Sequence, residues 1–150
     1  MEKPASLRDA LAAALPELRN NPDKLAMYVV DGKTIANKHT LGHKISYRLN
    51  INITDYADGL DKLNVAVIAW LQVNQPDILG PGSVPADSYV FEADILDDKT
   101  ADIAIVLRLT ESVLALIDDD GKINITHRRE PQLKNDLTWS GLPDEVAGAQ

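Results

Sequence analysis

Residues 44–54, Lys44-Ile45-Ser46-Tyr47-Arg48-Leu49-Asn50-Ile51-Asn52-Ile53-Thr54, carry an apolar side chain at every odd position and a polar one at every even position. Successive strand side chains point to opposite faces, so this segment belongs to a sheet with one dry and one wet face. After a turn at 55–59 comes a helix over about 60–73. It puts Leu60, Leu63, Val67, Trp70 and Leu71 on one stripe and adds Val65 and Ile68 outside it. A single small sheet covers only the first stripe, so the second points to a partner subunit.

The remaining elements follow from local chemistry. Ser6 is a suitable N-cap for a first helix, with Asp9 in its first turn and Leu7, Leu11, Ala14, Leu15 and Leu18 on one face. Pro16 should interrupt and restart that helix near Leu15. Asn20-Asn21-Pro22-Asp23 ends it, and residues 25–30 read as a strand. Asp31-Gly32 is a favoured two-residue hairpin turn, with a short strand at 34–36 returning from it. Residues 76–87 form a proline- and glycine-bearing loop, long enough to serve as an arm or contact loop. Alternation returns at 89–95 and 103–109 around an Asp97–Thr100 turn, giving one hairpin. Residues 113–117, Asp120-Gly121, Ile123 and Ile125 read as another. The order is α-β-β-β-α-β-β-β-β: an α+β domain with an antiparallel or mixed sheet and two main helices on one face. It spans residues 1–128, and 129–150 reads as an extended tail.

Composition narrows the function. Fifteen basic residues against 23 acidic ones give a net charge of −8, which argues against broad nucleic-acid binding and gives no sign of sequence-specific recognition. No apolar stretch approaches the ~20 residues of a bilayer crossing. Met1-Glu2-Lys3-Pro4 lacks a basic region followed by an apolar run, so no secretory signal is expected. There are no cysteines, which removes disulfides, thiolate nucleophiles and cysteine-held metals. No nucleophile motif, P-loop or dinucleotide fingerprint is present, and no cofactor is implied.

His39 and His43 are spaced for a metal only on a helix, which Asn37, Lys38 and Gly42 disfavour; with His127 they read as solvated. Asp94, Asp97, Asp98 and Asp102, and the run Asp118-Asp119-Asp120, read as turn aspartates rather than a cation site. Trp70 belongs to the core. Lys44 and Arg48 on the wet strand face, Arg128 and Arg129 after the last strand, and Trp139 in the polar tail are the candidate contacts with partners.

Leu15-Pro16-Glu17-Leu18-Arg19, the run from Ala69 to Asp77 (AWLQVNQPD) and the run from Phe91 to Asp98 (FEADILDD) together resemble the P2-like phage tail completion protein R family of contractile-tailed phages. Leu49–Tyr56, Thr100–Ile103 and Leu107–Glu111 are similar to it as well, so that the resemblance runs over roughly residues 4–113. It implies a non-enzymatic tail terminator at the head-proximal end of a virion tail, assembled in the host cytoplasm. Such a protein would form a homo-oligomeric ring, commonly a hexamer, and would contact the tail tube or sheath and a neck or head-completion protein. The source could equally be a phage, a prophage or a tail-derived particle. Two rivals remain. One is a monomeric adaptor whose apolar helix is wholly internal. The other is a metal-dependent hydrolase built on the aspartate hairpin, whose activity would fall on substitution of Asp94 or Asp98.

Overall fold

The computed structural model describes residues 1–130, so Trp139 lies outside the described residues. Helices α1 (Lys3–Ala14) and α2 (Pro16–Asn20) lead through a short 3-10 turn into β1 (Leu25–Ala36) and β2 (His43–Tyr56). Helix α3 (Leu60–Asn74) follows, then β3 (Tyr89–Ile95), β4 (Ala101–Ile117) and β5 (Ile123–His127). The sheet order is β1-β2-β4-β3, every pairing is antiparallel, and β5 pairs with the far end of β4. The architecture is α+β, as the alternation predicts.

Alternation places the core. Tyr47, Leu49, Ile51 and Ile53 of β2 and Ile103, Ile105, Leu107 and Leu109 of β4 are all buried, each β2 residue standing directly across from its β4 partner. Leu7 and Leu11 of α1, Leu18 of α2, and Leu63, Val67, Trp70 and Leu71 of α3 cover them. The opposite face, with Arg48, Asn50, Asn52 and Arg108, carries no helix. Trp70 is a core residue, as expected. No helix among the described residues is long and apolar enough to cross a membrane.

Two expected strand breaks do not occur, so five strands replace seven. Asp31-Gly32 is not a hairpin turn: β1 runs straight through it with a register shift between Val30 and Lys33, and Asp31 takes a positive φ of 54°. β2 continues to offer pairing partners as far as His43, so extending the ladder satisfies more backbone groups than turning back at Asp31 would. Likewise 103–109 and 113–117 are one seventeen-residue strand, because β2 pairs with β4 continuously from Arg108 to Val113.

The first helix also starts earlier than its expected cap. Pro4 occupies the first turn, where a missing N–H costs nothing, and Ser6 lies inside the helix. The Ser6 hydroxyl accepts a hydrogen bond from Trp70 Nε1 (3.0 Å), and Asp9 falls beyond the first turn. Pro16 does restart the helix, with Leu15 extended between α1 and α2. Gly59, at φ 93°, precedes α3 in a conformation that L side chains rarely adopt.

Tyr47, Tyr56 and Tyr89 give this fold an alkaline limit. Burial pushes Tyr56 and Tyr89 up to about 12, Tyr56 with help from the charges of Asp58 and Glu17. Burial and the Glu111 carboxylate raise Tyr47 as well. An unfolded tyrosine releases its proton near 10, so above that pH the unfolded chain binds fewer protons than the folded one. Stability should therefore be unaffected below about pH 10 and fall as pH climbs towards the folded values. In a Tyr28→Phe variant, which removes the one exposed tyrosine among the described residues, circular dichroism and tyrosinate absorbance recorded together should change in one step. Titration of these tyrosines well before the helical signal falls would contradict their burial.

Candidate functional site

Among the described residues the features that stand out are surfaces and the polar groups that hold them in place. Glu111, on β4, is 4% exposed. It accepts hydrogen bonds from the Tyr47 hydroxyl and from the backbone N–H groups of Glu2 (2.8 Å) and Lys3 (3.3 Å). A strand carboxylate thus caps the amino end of α1, where free amides and the helix dipole favour negative charge. Burial pushes Glu111 up, but the Tyr47 hydroxyl and the two backbone donors outweigh it and hold the carboxyl below its ordinary range. His127 lies 3.6 Å from the same carboxylate through Nδ1 and 3.8 Å from Glu2 through Nε2. It is therefore half-buried beside acids rather than solvated as the sequence suggests.

A second polar group seals the outer edge of β4. β3 pairs with residues 101–107 and β5 with 113–117, which leaves Thr110 between them. Its N–H donates to Gln75 Oε1 (3.0 Å) and its carbonyl accepts from Lys3 Nζ (2.7 Å). Lys3 Nζ also donates to Gln75 Oε1 (2.6 Å), while Gln75 Nε2 donates to Asp77 (2.6 Å). Gln75 is 1% exposed. This side-chain seal substitutes for a missing strand and ties the end of α3 to both β4 and α1. Nothing in residue spacing announces it, although Gln75 and Asp77 stand in one of the segments that carry the family resemblance.

The candidate contacts fall as follows. Lys44 is exposed on the helix-free face, opposite Ser112 of β4. Arg128 donates its backbone N–H to the Ser112 carbonyl (3.0 Å) on the other side of β4, so the two cations flank one residue. Arg129 is exposed beside it. Arg48 stands directly across from Arg108, a like-charge pair bridged by Asp87. Asp87 accepts from Arg48 Nη2 (2.9 Å) and, bidentately, from Arg108 Nε (2.9 Å) and Nη2 (2.7 Å). The hydrogen bond from Arg108 holds the Asp87 carboxyl below its usual range. Arg48 is thus committed within the chain, and the end of the 76–87 loop is pinned over the sheet rather than extended as an arm.

The aspartates have local work. Asp97 Oδ1 accepts from the N–H groups of Lys99 (2.7 Å) and Thr100 (2.8 Å), and Asp118 Oδ1 from those of Asp120 (3.0 Å) and Lys122 (2.9 Å). Among the described residues no three His, Asp or Glu side chains are grouped to hold a metal ion.

Two apolar surfaces stand out among the described residues, beside the exposed Phe91 and Ile95 of edge strand β3. Beyond Val113, the last residue of β4 to pair with β2, the strand continues with β5 alone. There Leu114, Leu116, Ile117, Ile123 and Ile125 are 51–72% exposed. Periodicity locates this hairpin but not its exposure; the overlooked signal is that 113–117 is apolar without alternation, the pattern of a strand covered on both faces. The second surface is a groove of about 540 Å³ between the α1–α2 corner and α3, lined by Leu15, Pro16, Val65, Ala66 and Ala69. Val65 and Ile68, expected to need a partner, are 67% and 37% exposed.

Comparison with known proteins places the chain in a family. A family model described as P2 phage tail completion protein R (GpR) matches residues 1–131. Its range takes in every described element and, contrary to the expected limit near residue 113, includes the β4–β5 hairpin. Tail completion protein R of Escherichia phage P2 is 39% identical over 132 residues, covering 87% of this chain and 84% of that protein. No solved structure matches the chain. With the family model spanning all five strands and three helices, this chain belongs to the P2 phage tail completion protein R family.

Proposed function

We propose that this protein is a structural component of a phage tail that completes its head-proximal end. It does so by binding rather than catalysis, assembling in the host cytoplasm as a ring of identical subunits on the finished tail. A hexamer would match the six-fold symmetry of a contractile tail. One face of the ring would then dock on the tube or sheath and the other would receive the neck or a head-completion protein. The relative named for tail completion supports the role. The observation that carries self-assembly is the apolar hairpin that leaves the sheet uncovered on both faces. A closed ring needs two different surfaces on each subunit, and the hairpin and the groove are two different exposed apolar surfaces.

The role is tested on P2 tails made without their own protein R. Added chain, imaged by electron microscopy with a bound label, should appear as a ring at the head-proximal end and restore head joining. Unlabelled tail ends, under conditions where protein R of P2 itself binds, would overturn the reading.

A further inference from the structure

We propose that residues 131–150 of the same chain dock over one face of the β4–β5 hairpin, with Trp139 as the anchor, an inference independent of the ring reading. The cross-strand pairs Ala115–Ile125 and Ile117–Ile123 stand on the face that the helices cover further along the sheet. Beyond Val113 that cover ends, and Ile117, Ile123 and Ile125 are 56%, 62% and 56% exposed. His127 and Glu2, 3.8 Å apart, close the inner end of the patch where α1 begins.

The described chain ends beside this patch. Arg128 donates its N–H to the Ser112 carbonyl (3.0 Å), and Glu130 pairs with Lys3 at the start of α1 (3.4 Å). Ile123 stands opposite Ile117, ~17 Å beyond the level of Ser112 at ~3.3 Å per residue. Glu130 is at most ~7 Å further back, so the isoleucines lie within about 25 Å of it. The chain from Glu130 to Trp139 spans up to ~30 Å when extended, enough to reach them. That stretch also carries Leu133 and Leu137, with Leu142 and Val146 following.

Area favours a tethered segment over a separate molecule. The three isoleucines present roughly 300 Å² of apolar surface, well short of the roughly 800 Å² per partner of a standard interface. A free partner gains too little from this face alone to stay bound. A segment joined to the patch by a short linker acts at an effective concentration in the millimolar range, so a weak contact suffices. One tryptophan buries about 150–250 Å², so Trp139 with a single leucine covers the patch. Leu114 and Leu116 lie on the opposite face of the hairpin and stay open to a ring contact.

Because the chain has no cysteine, a pair of introduced thiols reports the contact without background. Ser140→Cys is combined with Ile123→Cys or, for comparison, with Asn124→Cys. Positions 123 and 124 have nearly the same tether length but face opposite sides of the hairpin. A third pairing uses Phe91→Cys on the exposed edge strand β3. The full-length variants are oxidised with glutathione disulfide at high dilution, and the products are resolved by mass. The intramolecular disulfide to position 123 should form at least five-fold faster than that to 124 or 91, and adding Trp139→Ala should remove the advantage. Equal rates at 123 and 124, or faster closure at 91, overturn the proposal. Linked dimers outweighing the intramolecular product overturn it too and assign the segment to a second copy. An advantage that survives Trp139→Ala overturns Trp139 as the anchor. Fluorescence gives a second test without cysteines. The emission of Trp139, taken as wild type minus Trp139→Phe, should lie to the blue of an indole in water and move to the red in Ile117→Asp with Ile123→Asp. A wild-type difference spectrum already that of a water-exposed indole overturns the docking.

Discussion

Glu111→Ala should lower the free energy of unfolding by about 3 kcal/mol, because it leaves the buried Tyr47 hydroxyl and two part-buried backbone N–H groups without an acceptor. Each hydrogen bond to a charged group contributes roughly 1.5–3 kcal/mol, and stranding a buried donor costs about 1–3 kcal/mol. Water entering the vacated space offsets part of that sum. Glu111→Gln keeps one carbonyl oxygen for these donors and should lose about half as much. The dependence on acid follows in sign from the lowered carboxyl. Glu111 is held below its ordinary 4.5, so its contribution is complete above the unfolded value and lost as pH falls through the lower folded one. The gap between wild type and Glu111→Ala, measured by urea denaturation, should therefore be widest at neutral pH and close as the medium is acidified below about pH 4. A loss under 0.5 kcal/mol at neutral pH would mean that the helix cap and the Tyr47 bond contribute little. Hydrogen exchange should locate the damage at the start of α1 and the base of the β4–β5 hairpin, the two elements that meet at this carboxylate.

The Glu111 cap joins residues more than a hundred positions apart, which local sequence pattern does not encode. Alternation at 44–54 and 103–109 places the core face of β2 and β4 correctly, since a one-residue slip would expose Leu49 and Leu107. The stripe from Leu63 to Leu71 likewise identifies the buried side of α3, and Pro16 marks the real break between α1 and α2. These are signals carried by neighbours in the chain. The misread points depend on residues far away. Asp31-Gly32 has the composition of a turn, but the partner strand continues past it and makes it a bulge. Ser6 has the chemistry of a cap, but Glu111, more than a hundred residues on, takes that place. Gln75 and Asp87 are ordinary polar residues until folding sets them against Thr110 and against the Arg48–Arg108 pair. Of the surfaces, Lys44, Arg128 and Arg129 can be found as surface charge. The groove cannot, because it joins Leu15 and Pro16 to Val65 and Ala69 across fifty residues.

The sharpest contrast between folding and assembly lies on α3 itself. Leu71→Ala should destabilise the monomer by about 2–5 kcal/mol, since Leu71 is fully buried within the core and its removal leaves a cavity that the surrounding side chains fill only in part. Val65→Ala, six residues away on the same helix, should change stability by less than about 0.5 kcal/mol, as exposed substitutions ordinarily do. Alanine raises helix propensity relative to valine by a few tenths of a kcal/mol, so Val65→Ala could even gain slightly. The apolar character of position 65 therefore has no explanation in the stability of the isolated chain, where 67% of the residue faces water. Thermal denaturation of both variants as dilute protein separates the two roles. Equal losses would show that Val65 packs against something within the chain and would remove the groove as a surface held open for a partner. A large loss at Leu71 alone, joined to weaker self-association of the Val65 variant at higher concentration, would place one stripe of α3 in the fold and the other in the assembly.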